Sequence, residues 1–186
     1  MPSNSVPRVF QDKEGFMWFG TLDGLCRYDG YPVLVFRSDS NNSNLLTNND
    51  ITCIAEDSTS HLWIGTKKGI NILNKATYKI KHLDSEELHG QEIRDIHVTP
   101  DGDIWVGTIN RLYRYNADYS LRKDYKELLV WNAINDIYED KENNLWGMIW
   151  ENGLFRYNPE QDNFTKFHKI GNGDNPFKMY QDHKNN

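Results

Sequence analysis

Residues 16–21 of this chain have the sequence FMWFGT, and three variants of that phrase follow along the chain. The later copies are LWIGT at 62–66, IWVGT at 104–108 and LWGMI at 145–149. Their tryptophans recur at intervals of 45, 42 and 41 residues, at Trp18, Trp63, Trp105 and Trp146. A repeat of about this length, made of short runs with β character, indicates propeller blades or a solenoid.

The second repeat shows most clearly what one unit contains. Residues 51–57 (ITCIAED) alternate apolar and polar side chains, which is the period of a half-buried strand. Three more strand-like runs follow after short turns, at 61–66, 70–73 and 78–83. Turns of this length join antiparallel neighbours, so each repeat is predicted to be a four-stranded antiparallel meander.

The fold class predicted is all-β: a β-propeller arc of about four four-stranded antiparallel blades, part of a larger ring of about seven blades. Each sheet can bury its faces only against the next one, and propellers solve this by closing a ring. Glycines two residues after the first three tryptophans would allow adjacent backbones to approach closely: Gly20, Gly65 and Gly107. The whole chain is predicted to be one partial propeller, with blades at 6–38, 49–85, 91–126 and 132–168 and the first strand of a fifth at 175–186.

Composition excludes several classes of protein. The chain is 38% hydrophobic and 26% charged, with a net charge of −6 and no basic stripe, so nucleic-acid binding is not expected. No apolar run reaches the roughly 18 residues that span a bilayer, and the N-terminus lacks a signal-peptide pattern. The two cysteines, Cys26 and Cys53, have no metal-type spacing and are predicted to be buried thiols.

Catalytic motifs are not found in the sequence. The histidines form no HExxH pattern, and there is no nucleophile elbow, P-loop or dinucleotide fingerprint. Asp-rich turns lack the ligand spacing of a calcium loop. We therefore predict no catalytic residue, no metal site and no cofactor in this chain.

The alternation of strands A to D in each blade assigns the connections to two faces. D–A connections and B–C turns must emerge on one face, which we call the loop face, and the other connections emerge on the opposite face. The loop face is rich in amides and carboxylates and has two tryptophans outside the repeat, a composition suited to sugar hydroxyls and sugar rings. Turn formation and packing between blades remain the alternatives for the ligand-binding candidates: Asn49, Asp50, Gln91, Trp131, Asn132, Trp150, Glu151 and Asn152.

Residues 16–31 and 51–66 resemble the two-component regulator propeller repeat, with its pattern Asp…Gly-x-x-Trp-x-Gly-Thr-x-x-Gly-Leu-x-x-Tyr. More narrowly, they resemble the opening blades of the sensor region of Bacteroidetes-type hybrid two-component histidine kinases. That resemblance covers almost the whole chain and implies a periplasmic sensor of oligosaccharides, with kinase and DNA-binding modules elsewhere. It also implies three kinds of partner: an oligosaccharide ligand, the remaining blades, and a second protomer in a homodimer.

Two repeats depart from the family pattern. Arg111 stands where the third repeat should have a turn glycine, and Asn110 is expected to adopt the left-handed conformation instead. The fourth repeat has a turn one residue longer, at 150–152, and lacks the threonine. These departures affect turn geometry rather than the fold.

Two other functions remain open at this stage. A propeller lyase similar to those that open streptogramin rings would need a His/Glu pair with a divalent ion, and His89 and Glu92 come nearest to one. A purely structural or protein-binding propeller is the third interpretation. Turnover of a substrate would distinguish a lyase from a sensor. A peptide partner without sugar binding would favour a protein-binding propeller.

Overall fold

A computed structural model describes residues 3–30, 33–126, 133–168 and 178–182 of the chain. Within these ranges the protein is all-β, with four separate four-stranded antiparallel sheets and no helix. The strands are β1 (Arg8–Gln11), β2 (Met17–Thr21), β3 (Gly24–Tyr28), β4 (Leu34–Phe36), β5 (Ile51–Glu56), β6 (His61–Thr66), β7 (Gly69–Asn74), β8 (Ile80–His82), β9 (Ile93–Val98), β10 (Ile104–Thr108), β11 (Leu112–Tyr115), β12 (Leu121–Asp124), β13 (Ile134–Glu139), β14 (Leu145–Ile149), β15 (Gly153–Asn158) and β16 (Asn163–His168).

Each sheet is a meander in which every strand pairs with the next one along the chain, so β1–β4 form blade 1 and β13–β16 form blade 4. The first strands of the blades, β1, β5, β9 and β13, lie next to one another at the inside of the arc. The arc is open. The predicted class, a propeller arc of four-stranded antiparallel blades, is confirmed.

The hydrophobic core lies between the blades and not within a single sheet. One cluster of buried side chains joins blades 1 and 2, a second joins blades 2 and 3, and a third joins blades 3 and 4. The repeat tryptophans belong to these clusters: Trp18 and Trp63 are fully buried and Trp105 is 2% exposed. Trp146, on the blade at the end of the arc, is only half-buried. Cys26 and Cys53 are buried free thiols, as predicted.

The repeat glycines lie where the first strand of the following blade crosses. A Cβ atom on Gly107 would be 2.7 Å from Cγ2 of Ile134, and one on Gly20 would be 2.7 Å from Cγ2 of Ile51. At Gly65 the same atom would be 2.9 Å from Cγ2 of Ile93. Such distances are too short for a real methyl group, so the glycine is required for neighbouring blades to pack.

The tryptophan of three repeats is hydrogen-bonded to the aspartate six residues earlier. The indole Nε1–H donates to Oδ2 of that aspartate at 2.8 Å in blade 1, 3.1 Å in blade 2 and 2.9 Å in blade 4. The other carboxylate oxygen accepts backbone N–H groups of the A–B turn, as at Asp57, where Thr59 and His61 donate. The aspartate thus ties the turn to the buried indole.

The B–C turns of the third and fourth blades differ from the other two, and the turn of blade 3 also differs from the prediction. Asn110 is not in the left-handed region, so that prediction is wrong. The turn is instead closed by Thr108, whose N–H donates to the Arg111 carbonyl at 2.8 Å and whose hydroxyl accepts the Arg111 N–H at 3.1 Å. In blade 4 the longer turn places Glu151 at φ 56° and Gly153 at φ 94°.

Residues 178–182 lie against blade 4 without a strand among them. The Lys141 N–H donates to Oε1 of Gln181 at 3.0 Å. An equivalent bond joins blade 1 to the first strand of blade 2, where the Lys13 N–H donates to Oε2 of Glu56 at 2.8 Å. The predicted first strand of a fifth blade is therefore present only as a segment in the equivalent position, and the rest of 175–186 lies outside the described residues.

Candidate functional site

The loop face is assembled by hydrogen bonds between D–A connections and B–C turns. The Gly24 N–H donates to the Asn49 carbonyl at 2.8 Å, and the Lys67 N–H donates to the Asp50 carbonyl at 3.3 Å. Thr66 fixes the turn after it, because its hydroxyl donates to the Gly69 carbonyl at 2.9 Å. Both kinds of connection therefore meet on one surface.

Two of the predicted ligand-binding residues, Asn49 and Asp50, are half-buried and engaged in holding this surface together. The side-chain oxygen of Asn49 accepts the Ser38 N–H at 2.7 Å. The Asp50 carboxylate forms an ion pair with Lys67 Nζ at 2.8 Å. These contacts support the structural alternative for both residues.

The other described candidates lie on two connections, Gln91 on one and the remaining three on the B–C turn of blade 4. Gln91 is exposed, and its N–H donates to the Leu88 carbonyl at 3.1 Å. Trp150 is half-buried and its N–H donates to the Ala133 carbonyl at 2.9 Å. In the same blade 4 turn, Glu151 is exposed and Oδ1 of Asn152 accepts from Lys166 Nζ at 3.1 Å. Trp131 and Asn132 lie outside the described residues.

The loop face does contain a pocket, but none of the predicted ligand-binding residues lines it. It has a volume of about 480 Å³ and lies between the connection 37–50, the turn 67–69 and the connection 83–92. Sites for small molecules usually have volumes of about 300–1,000 Å³. We call it the polar pocket; its polar lining is Ser38, Asp39, Ser40, Asn42, Ser43, Thr47, Asn48, Lys68, His82 and His89.

The wall formed by residues 37–50 is held in place at both ends. Leu46 is 2% exposed and belongs to the core cluster between blades 1 and 2. Ser38 and Leu46 form a parallel β-bridge. Farther along, the Thr47 N–H donates to Oδ1 of the buried Asn71 at 2.8 Å. His82 adds a bond from the neighbouring strand, with Nε2 at 2.7 Å from the Leu45 carbonyl oxygen.

The opposite wall is anchored in the same way. Leu88 is 2% exposed and packs into the cluster between blades 2 and 3. The Ser85 hydroxyl lies 2.8 Å from the hydroxyl of Tyr115, and burial raises the pKa of Tyr115 to about 12. Leu83 donates its N–H to the Ile70 carbonyl at 3.0 Å. The pocket is therefore formed by ordered backbone on both sides before any ligand binds.

A second cleft lies along the inner strands, with a volume of about 530 Å³. Its carboxylates hold neighbouring blades together: Oδ2 of Asp95 accepts the Ile137 N–H at 2.8 Å, and Oδ2 of Asp136 accepts the Met179 N–H at 2.7 Å. Burial, with a further contribution from the negative charge of Asp136, raises the pKa of Asp95 to about 7. Because both carboxylates bridge blades, the cleft is a weaker ligand site than the polar pocket.

The two residues considered for a lyase have different surroundings. His89 lines the polar pocket, whereas the Glu92 carboxylate is paired with Arg94 at 3.0 Å. Among the described residues no group of three or more His, Cys, Asp or Glu side chains could hold a metal ion. The sequence analysis had considered His89 only as part of that pair and did not select Lys68 or His82. The sequence signal for the polar pocket was the length of the connection 37–50, which forms one of its walls.

The chain was compared with known proteins. The family described as two component regulator propeller matches residues 1–23, 45–68 and 87–110. Histidine kinase P4 of Formosa agariphila is 31% identical over 174 residues, which cover 87% of this chain and 13% of that protein. The chain thus spans about one eighth of the length of this relative.

Solved structures show the same architecture. The extracellular domain of a hybrid two component system from B. thetaiotaomicron is 25% identical with a TM-score of 0.72, over 88% of this chain and 25% of that one. Virginiamycin B lyase from Staphylococcus aureus has a TM-score of 0.75 at 18% identity, over 98% of this chain and 62% of the lyase, a likeness of fold alone. No helix among the described residues is long and apolar enough to cross a membrane. The repeat sequence, the blades and these relatives identify three of the four units as two-component regulator propeller repeats.

Proposed function

We propose that this chain is the ligand-sensing propeller segment of a hybrid two-component sensor kinase, and that its loop face binds oligosaccharides in the periplasm. The observation that carries the proposal is the polar pocket, which combines hydroxyl and amide groups with an apolar floor on a preformed scaffold. Sugars present both hydroxyl groups and apolar ring faces, so this combination suits them. Similarity to the extracellular domain of a hybrid two component system supports the periplasmic placement.

Signal relay follows from differential binding. A ligand shifts an equilibrium only as far as it binds one arrangement better than the other. The polar pocket spans connections from two successive blade boundaries, so its occupant touches both. We propose that occupancy changes how this propeller meets a neighbouring propeller or protomer of the longer protein, with no catalysis in this segment.

A thermal-shift titration of the purified protein against a panel of neutral and acidic oligosaccharides tests the proposal. At a ligand concentration of 100 Kd, binding to the folded state adds about 2.7 kcal/mol to stability, which raises Tm measurably. We expect one class of oligosaccharide to raise Tm while chromatography of the mixture shows no cleaved sugar. An unchanged Tm with every sugar, or the release of product, would contradict the sensor function.

A further inference from the structure

The polar pocket brings three basic side chains together in a chain whose net charge is −6. Lys68, His82 and His89 all line it, against one carboxylate, that of Asp39. All three basic side chains are exposed to solvent. Lys68 lies in a B–C turn, His82 ends strand β8 and His89 lies in the connection 83–92, so the pocket is the feature that they share.

Two of these groups have no charge partner. Among the residues that the structure describes, the side chains of Lys68 and His89 make no hydrogen bond and no ion pair. The neighbouring Lys67 shows the contrast, because its ammonium is paired with Asp50 at 2.8 Å. An ordered pocket that presents unpaired donors is arranged to receive an acceptor from outside.

The turn that carries Lys68 is fixed by the repeat itself. The hydroxyl of Thr66 accepts the Lys68 N–H at 3.0 Å and donates to the Gly69 carbonyl. The same hydroxyl lies 3.0 Å from that of Thr47 in the connection 37–50. The backbone of Lys68 is therefore tied, through Thr66, to the connection 37–50, and little ordering of the main chain is needed when a ligand binds.

We infer that the polar pocket binds an acidic sugar unit, whose carboxylate or sulfate group is held by Lys68 and His89. This inference rests on the proposed function and names the class of oligosaccharide. Hydroxyl groups of the same unit face the side chains of Ser38, Asn42 and Asn48. The apolar ring face lies on the floor of the pocket, which is formed by buried side chains of the two neighbouring core clusters: Leu46, Ile70 and Leu88.

The test is calorimetric titration of the protein with three oligosaccharides of equal length and backbone: one neutral, one with a uronate unit and one with a sulfate ester. We expect an acidic sugar to bind at least tenfold more tightly than the neutral one, since hydrogen bonds to charged groups are worth about tenfold or more in affinity. Added salt should weaken that binding by screening. The two acidic sugars distinguish a carboxylate ligand from a sulfate ligand.

Two variants locate the site, and a third is the matched control. Lys68→Gln and His89→Gln should each lower affinity for the acidic sugar about tenfold, while Lys67→Gln, one residue away and outside the pocket, should change it less than twofold. Neutral and acidic sugars binding alike, or Lys68→Gln leaving affinity unchanged, would overturn the inference and leave the proposed function standing. If no sugar binds at all, both fail.

Discussion

At the scale of single residues, Asp57 shows how a repeat stabilises itself. Its carboxylate accepts hydrogen bonds from the Trp63 indole, the Tyr119 hydroxyl and the Thr59 hydroxyl at 3.1, 2.6 and 2.7 Å. Burial opposes its ionisation, but hydrogen bonds from Tyr119, the His61 amide and Thr59 outweigh burial and hold the pKa of Asp57 below its ordinary value of 3.8. Because Tyr119 belongs to blade 3, this one carboxylate also joins two blades.

Asp57→Ala should lower the free energy of unfolding by about 2–4 kcal/mol, because it leaves the buried Trp63 N–H and a turn amide without acceptors. Urea denaturation at neutral pH measures the loss. Asp101→Ala, at an exposed turn position of blade 3, is the control and should change stability by less than about 0.5 kcal/mol. Equal losses in the two variants would contradict the role of Asp57.

The contribution of Asp57 should also depend on pH in a defined direction. A carboxylate whose pKa is lowered by folding stabilises the protein fully above its unfolded-state pKa, and the effect is lost as the pH falls through the folded-state value. The difference between wild type and Asp57→Ala should therefore be constant above about pH 5 and shrink progressively at lower pH. The spacing of this aspartate from the tryptophan is visible in the sequence, but the spacing alone does not predict a bond between the two side chains. Its bond to the indole depends on the hairpin between strands A and B.

At the scale of strands, the glycine of each of the first three repeats determines how closely one sheet can approach the next. The strand order and most strand positions could be predicted, because alternation and turn residues are local signals. The turn at Asn110 could not, because no left-handed residue takes the place of the missing glycine there and the Arg111 N–H donates to the Thr108 hydroxyl. The shapes of the long connections between blades could not be predicted either. They depend on anchors such as Leu46, whose packing partners are distant in the sequence.

Gly107→Ala should destabilise the protein by about 1–3 kcal/mol, because the added methyl group would overlap Cβ and Cγ2 of Ile134 at 2.8 and 2.7 Å. Gly147→Ala is the matched control in the next blade. There the nearest atoms are 3.9 Å from the added Cβ, so stability should stay within about 1 kcal/mol of wild type. Thermal unfolding of both variants tests the comparison, which fails if Gly147→Ala is the more damaging.

At the scale of the whole molecule, the blades interact in series, since each core cluster joins one pair of neighbours. Stability in such an arrangement is approximately a sum of unit and interface terms. The sequence predicted this architecture because the repeat period is long and regular. It did not predict the polar pocket, which is formed by three connections that are separated along the chain and share no motif.

Ile134→Ala and Ile64→Ala test the serial arrangement. Both side chains are fully buried, at the interfaces of blades 3 and 4 and of blades 1 and 2, and each variant should lose about 2–5 kcal/mol. Hydrogen exchange followed by mass spectrometry should show faster exchange in β13–β16 for Ile134→Ala and in β1–β4 for Ile64→Ala. The same exchange pattern in both variants would mean that the arc unfolds as one unit.

The anchoring of the connection 37–50 has a consequence for how such proteins diversify. Leu46 and the Ser38–Leu46 bridge fix the base of the loop in the core, while residues 39–44 between them form its outer part. Substitutions in that outer part can change what the surface recognises at little cost to folding, because the base carries the packing. Related propellers could therefore change the chemical character of this surface through substitutions at about six positions, with the fold unchanged.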